Sequence, residues 1–391
     1  MSSDEYLKNM DKNNFSRRQF ITSMAASTVG LMLIDPFSSF GNINKQLDHF
    51  QKSGLLFYKD SNGKIKPVTT LTEWKVKQKQ ILIGMQQAMG KLPEFSNLPS
   101  MNIQIIDELK EQNHIRQTIN FTVAENEKVP AYLYIPNKKR KKEKFPAMLA
   151  LHETDPIGKK SVDGEGHNIN LAYAKEMAQR GYVVIAPDYP SFGDLKDYNF
   201  ETDRYQSGTM KSIFDNMRCV DLLQARADVD PDRIGVIGHS LGGHNAIFTG
   251  AFDERLKVVV SSCGWTLFSY YDIGEAAAKQ YGGALGPWAH DRYMPLLRDK
   301  YHLDLKQIPF DFDEVIAAIA PRAFFSNSPL NDSNFSVEGV KKGIGEISEV
   351  YRFLKAKDKL EVRHPESQHD FPTKVRFEAY SFVDKILKLN S

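Results

Sequence analysis

Residues Gly238-His239-Ser240-Leu241-Gly242 read G-x-S-x-G. An apolar stretch at 233–237 precedes them and a helical pattern begins at Leu241. That strand–turn–helix context is what a nucleophile elbow requires, with the serine on a sharp turn and its hydroxyl presented to solvent. Glycines two residues to either side remove the side chains that would clash in such a turn. The chemistry this arrangement performs is acyl transfer. A serine hydroxyl attacks a carbonyl once a base takes its proton. The amide of Leu241, at a helix N-terminus, faces the oxyanion that forms. The plainer alternative is a structural turn.

The base should be a histidine late in the chain, after the last strand. His369 fits, in a polar loop reading His364-Pro365-Glu366-Ser367-Gln368-His369-Asp370-Phe371-Pro372. His364 is the rival, but it directly ends a strand and reads as structural. His239 and His244 flank the serine and come too early in chain order; packing or pocket shaping is their expected role. The acid that holds the imidazole belongs between serine and base, after the penultimate strand. The loop 327–335 offers one carboxylate, Asp332, whose alternative role is an Asx turn that orders the loop. Asp370 adjoins the base, and a sequence neighbour rarely points back at the ring. The second oxyanion donor is expected in the loop after residues 147–151, from the backbone amide of Thr154 or else Glu153.

The elements that must position these groups alternate. Strand patterns at 147–151, 182–187, 233–237, 256–261, 322–326 and 359–363, most of them apolar, are separated by helical patterns at 171–180, 210–227, 241–249 and 337–356, and a last one closes the chain at 373–389. Near-continuous apolar strands between amphipathic helices predict an α/β fold, a doubly wound, mostly parallel sheet with helices on both faces. The catalytic domain is assigned to 113–391. Its rhythm breaks at 264–313, an aromatic-rich insertion read as a cap or lid that supplies one pocket wall. Trp265, Trp288 and the tyrosines there are candidates for stacking on sugars, with core packing as the alternative for each. Before the domain, 42–112 reads as an N-terminal helical extension, with a helix at 71–89. The basic run Lys138-Lys139-Arg140-Lys141-Lys142 reads as a solvated hairpin loop, since no aromatics interleave it.

Composition closes off other classes. The chain has 391 residues, a net charge of +2 and 41% hydrophobic residues. That balance opposes a global field for nucleic acid, and the apolar content supports a large core. Two cysteines build neither a disulfide scaffold nor a Cys-rich zinc site, and no H-E-x-x-H occurs. No metal and no cofactor is expected. At the N-terminus, Ser16-Arg17-Arg18-Gln19-Phe20-Ile21 precedes an uncharged stretch shorter than the roughly 20 residues a membrane span needs. Residues 1–41 read as a twin-arginine-type export signal, which predicts a periplasmic protein with no stable membrane span unless the signal stays uncleaved.

Taken together, Leu151-His152-Glu153-Thr154, Ala186-Pro187-Asp188-Tyr189, 229–235, the elbow, Ala320-Pro321-Arg322 and 368–372 resemble the serine α/β-hydrolases of the dienelactone-hydrolase-like and acetyl-xylan-esterase-like group. The similarity runs from about Lys128 to the end. Dienelactone hydrolases use a cysteine nucleophile; Ser240 stands here and favours ordinary carboxylic esters. The resemblance implies ester hydrolysis through an acyl-enzyme, with acyl esters on carbohydrates as one substrate class. The rival readings are a serine peptidase on the same fold and a catalytically silent binding protein.

Overall fold

The computed structural model describes residues 54–137 and 144–389. The expected export signal and the basic run at 138–142 lie outside the described residues.

A short hairpin of β1 (Phe57–Lys59) and β2 (Ile65–Pro67) leads into α1 (Leu71–Met89). Next come β3 (Gln104–Lys110), β4 (His114–Ala124), β5 (Glu127–Pro136) and β6 (Phe145–Leu151). Then strands and helices alternate: α2 (Tyr173–Arg180), β7 (Val183–Pro187), α3 (Gly208–Ala225), β8 (Val229–His239), α4 (Leu241–Phe252) and β9 (Leu256–Ser262). The insertion contributes α5 (Glu275–Tyr281) and α6 (Leu296–Asp299), followed by α7 (Phe312–Ile319), β10 (Ala323–Asn327), α8 (Val337–Phe353), β11 (Leu360–Arg363) and α9 (Thr373–Leu387).

The main sheet has nine strands in the order β11-β10-β9-β8-β6-β7-β5-β4-β3. Strands β6 to β11 pair in parallel, and β5, β4 and β3 extend the sheet antiparallel beyond β7. The expected mostly parallel sheet with helices on both faces is therefore present. Alternation along each strand divides the core in two. Leu149, Ile185, Val236 and Val259 pack with residues of α1, α3, α4 and α7 on one face. Met148, Val184, Ile237 and Val260 pack with residues of α2 and α9 on the other.

Two sequence expectations need correcting here. The strands on either side of the basic run, β5 and β6, do not form the expected hairpin, because β7 lies between them in the sheet. The stretch 42–112 was expected to be a helical extension ahead of the catalytic domain. It carries the hairpin and α1, and its β3 is the edge strand of the catalytic sheet, paired to β4. A boundary at 112/113 cuts through that pair. Helix α1 is also bound to the domain: Gln78 Nε2 donates to the carbonyls of Ala318 and Ala320 at 2.8 and 3.0 Å. Lys77 Nζ, 1% exposed, reaches Glu314 at 2.9 Å.

Candidate active site

Strand β8 delivers the elbow. Ser240 has φ 52° and ψ −117°, a region that side-chain-bearing residues rarely adopt, and α4 starts at the next residue. The backbone holds the turn in place. Ser240 N donates to Ser262 O at 2.8 Å, and His244 N donates to Ser240 O at 3.1 Å. The two flanking glycines are required by close approach. A Cβ on Gly238 would lie 2.1 Å from Gly242 O, and one on Gly242 would lie 1.9 Å from Leu151 O. The second contact sets the N-terminus of α4 directly against the end of β6, so the loop that follows β6 lies beside the elbow.

In that loop His152 is fully buried. Burial lowers its pKa and keeps the ring neutral. Its Nε2 accepts from Tyr189 N at 3.2 Å, which leaves the proton on Nδ1, 2.6 Å from Glu153 O. Asp155 N donates to the same carbonyl at 2.9 Å. A trans peptide turns its N–H opposite to its C=O. The fixed Glu153 carbonyl thus aims the Thr154 amide away from His152, and Thr154 itself is exposed. The loop is anchored further along by Lys159. Its Nζ is 1% exposed and lies 2.5 Å from Asp188 and 2.6 Å from Asp194.

The late loops bring His369 and Asp332 together. His369 Nδ1 lies 3.0 Å from both carboxylate oxygens of Asp332. The Asp332 side chain is 1% exposed and that of His369 23%. Asp332 Oδ1 also accepts from Asn334 N and Phe335 N at 2.8 and 3.1 Å. The Asx-turn role and the role facing His369 therefore coexist. His364 is tied by Nδ1 to Ser328 O at 2.8 Å, away from any reacting group. The Asp370 carboxylate accepts from Asn168 and Asn170 at 2.8 and 2.9 Å rather than from His369. His239 packs its ring on His369, with centroids 4.8 Å apart. Burial pushes its pKa well below the ordinary histidine value, with the charge on His369 as the smaller cause. His244 faces Trp288 at 4.8 Å, and burial holds its pKa down at about 3. Both are neutral packing groups around the site.

The insertion residues divide. Trp265 is 1% exposed and its Nε1 donates to Ser326 Oγ at 2.9 Å. It is a core residue, which removes it from the sugar-stacking candidates. Trp288 is 6% exposed and packs on Phe268, Tyr271, Phe312 and Phe335. Phe335 stacks on His369 with centroids 5.9 Å apart. The insertion thus continues as an aromatic wall up to the imidazole. Arg292 and Tyr293 line a cleft beside Leu241, together with Tyr189, Thr209 and Asn245.

Sequence reasoning considered Glu153 for its amide only and missed its carboxyl. Burial raises its pKa to about 7, opposed by its own amide, by the hydroxyl of Ser161 and, last, by His369. Ser161 Oγ donates to Glu153 Oε2 at 2.9 Å. An acidic residue directly after His152 was the available signal. The consequence for stability has a definite sign. The folded state keeps this proton up to about pH 7, while the ordinary glutamate value is 4.5. The associated stability is complete below 4.5 and is lost as pH rises through 7. Glu153→Gln is expected to be more stable than the wild type at pH 8, by on the order of 1–3 kcal/mol, and equal to it at pH 4. Thermal melts at both pH values check this; the same gain at both would contradict it.

The chain is similar to known hydrolases and esterases. A sequence profile of the family described as glucuronyl esterase, fungi, matches residues 198–354, which include the elbow, the insertion and Asp332. YtaP of Bacillus subtilis, named as a hydrolase, is 29% identical over 310 residues, 76% of this chain and 96% of its own. The 4-O-methyl-glucuronoyl methylesterase of Hypocrea jecorina is 27% identical over 148 residues, 34% of this chain and 31% of its own. The glucuronoyl esterase of Solibacter usitatus superposes with a TM-score of 0.63 at 18% identity, covering 85% of this chain and 97% of that one. The chain has the α/β-hydrolase fold. A second superposition, on a glucuronoyl esterase of Teredinibacter turnerae, gives a TM-score of 0.64 at 17% identity over 85% of the hydrolase and 88% of that chain. These similarities are to carboxylic-ester enzymes of this fold. Among its described residues no helix is long and apolar enough to cross a membrane.

Proposed function

We propose that this hydrolase is an exported serine esterase that cleaves carboxylic esters of carbohydrates through an acyl-enzyme. The observation that carries the reading is the pairing of His369 Nδ1 with Asp332 at 3.0 Å, with the His369 ring packed on His239, the residue before a serine held at φ 52°. Ser240 Oγ attacks the ester carbonyl while His369 Nε2 takes its proton. Asp332 holds the ring and stabilises the imidazolium. The amides of Leu241 and Thr154 donate to the tetrahedral oxyanion. His369 returns the proton to the leaving alcohol, and water then releases the acid by the same steps. None of these steps calls for a metal or a cofactor.

The names of the relatives support the carbohydrate part. Glucuronoyl esterases act on esters in which the sugar supplies the carboxyl carbon, and one structural neighbour is titled an acetyl xylan esterase, in which the sugar supplies the alcohol. One feature of the site supports a sugar substrate: the aromatic wall of Trp288 and Phe335, which reaches the ring of His369. The test is a panel of an alkyl glucuronate ester, an acetylated xyloside, a simple alkyl acetate and a peptide amide. The expected result is kcat/KM at least tenfold higher on a carbohydrate ester than on the alkyl acetate, a margin of about 1.4 kcal/mol in transition-state binding. Equal values would remove the carbohydrate assignment, and faster peptide cleavage would favour a peptidase. The Arg17-Arg18 stretch supports export. Recovery of the protein from cytoplasm with Met1 in place would contradict it.

A further inference from the structure

Cys263 is 1% exposed and follows β9 with φ 47°, one of the few non-glycine residues in the left-handed region. A residue is held in that conformation when its surroundings over-determine it. Its amide donates to Asn327 O at 2.8 Å, which fixes the turn to the end of β10. The turn carries the thiol to the triad. Cys263 Sγ, a carboxylate oxygen of Asp332 and a ring nitrogen of His369 all lie within 4.8 Å of one another.

Donor counting decides what the thiol does there. Asp332 is buried, and a buried carboxylate needs donors on both oxygens. Oδ1 has the amides of Asn334 and Phe335. The His369 N–H, 3.0 Å from each oxygen, is the nitrogen donor that reaches Oδ2. The thiol has one proton, which Asp370 O accepts at 3.3 Å in this structure, while the Asp332 carboxylate stands within 4.8 Å as the competing acceptor. That carbonyl already receives Asn327 Nδ2 at 2.9 Å. A charged carboxylate is the stronger acceptor of the two. Burial, with the Asp332 charge as the next cause, pushes the thiol pKa well above its ordinary value, so Sγ keeps its proton throughout the working range.

We infer that Cys263 is a positioning residue of the triad, whose S–H donates to the Asp332 carboxylate and fixes the oxygen that faces His369. The inference rests on the proposed triad. The other groups facing this pair are His239, Glu153 and Tyr271, together with Ser262 behind the thiol. The Asp370 carboxylate is turned to Asn168 and Asn170.

Removing the S–H destabilises the Asp332 anion and leaves more charge on the oxygen facing His369. The imidazolium is then favoured, so the acid limb of kcat/KM must move to higher pH. Cys263→Ala in the full chain is expected to raise that limb by about half to one pH unit and to lower kcat about tenfold, with KM within twofold. Cys263→Ser restores a donor and is expected to return both. Glycine suits φ 47°, so Cys263→Gly repeats the donorless arm if alanine does not fold. A limb that stays in place in the donorless variants, or a serine variant that shifts as far as they do, would overturn the inference. Asp332→Asn is run beside them. If it keeps full activity, the triad reading has failed rather than the role of Cys263.

Discussion

Ser240→Ala is expected to lower kcat/KM on every ester by ~10⁴-fold or more, because the triad acts as a unit and residual rate comes only from binding and the oxyanion donors. Its stability should be unchanged. The hydrogen bonds that hold the turn run through the backbone, from Ser240 N to Ser262 O and from His244 N to Ser240 O. They survive the loss of Oγ. Initial rates together with a thermal melt check both halves. Activity within tenfold of the wild type would require another nucleophile.

The second large effect is on the fold. Lys159→Met is expected to cost about 3–5 kcal/mol, the range for breaking a buried pair and leaving one charge uncompensated. Asp188 is fully buried, and Lys159 supplies both its ammonium at 2.5 Å and its backbone amide at 2.8 Å. The amide of Asp194 completes the carboxylate at 2.9 Å. The same cluster anchors the loop that presents Thr154, so the variant should also lose ester turnover at temperatures where it remains folded. Adding Asp188→Asn removes the orphaned charge and should recover part of the stability. Chemical denaturation of the single and double variants measures this. A loss under about 1 kcal/mol in the single variant would mean that the clamp does not hold the loop.

These features differ in how far the amino-acid sequence reveals them. The elbow was legible because its backbone geometry demands glycines at 238 and 242, and glycines are visible in a sequence. The pairing of Asp332 with His369 was legible because the loop at 327–335 held a single carboxylate and polar residues surround His369 after the last strand. The parallel strands were legible as apolar runs, since both of their faces are buried. Strand β3 was not, because an edge strand with every residue exposed carries no alternation to read. The two tryptophans 265 and 288 looked equivalent; only their packing separates the core residue from the one in the wall. Glu153 and Cys263 were hidden for a related reason. The proton on Glu153 follows from enclosure by a loop, and the aim of the Cys263 thiol follows from a positive φ, and neither property belongs to the residue type.

The central claim is that Ser240, His369 and Asp332 work as one nucleophilic unit. The most direct measurement is stoichiometric reaction of the full chain with an alkyl fluorophosphonate, followed by peptide mass mapping. The account predicts one adduct per chain, on the peptide carrying Ser240, formed at a rate that collapses in His369→Ala. An adduct on another residue, or labelling of Ser240 at an undiminished rate without His369, would contradict it.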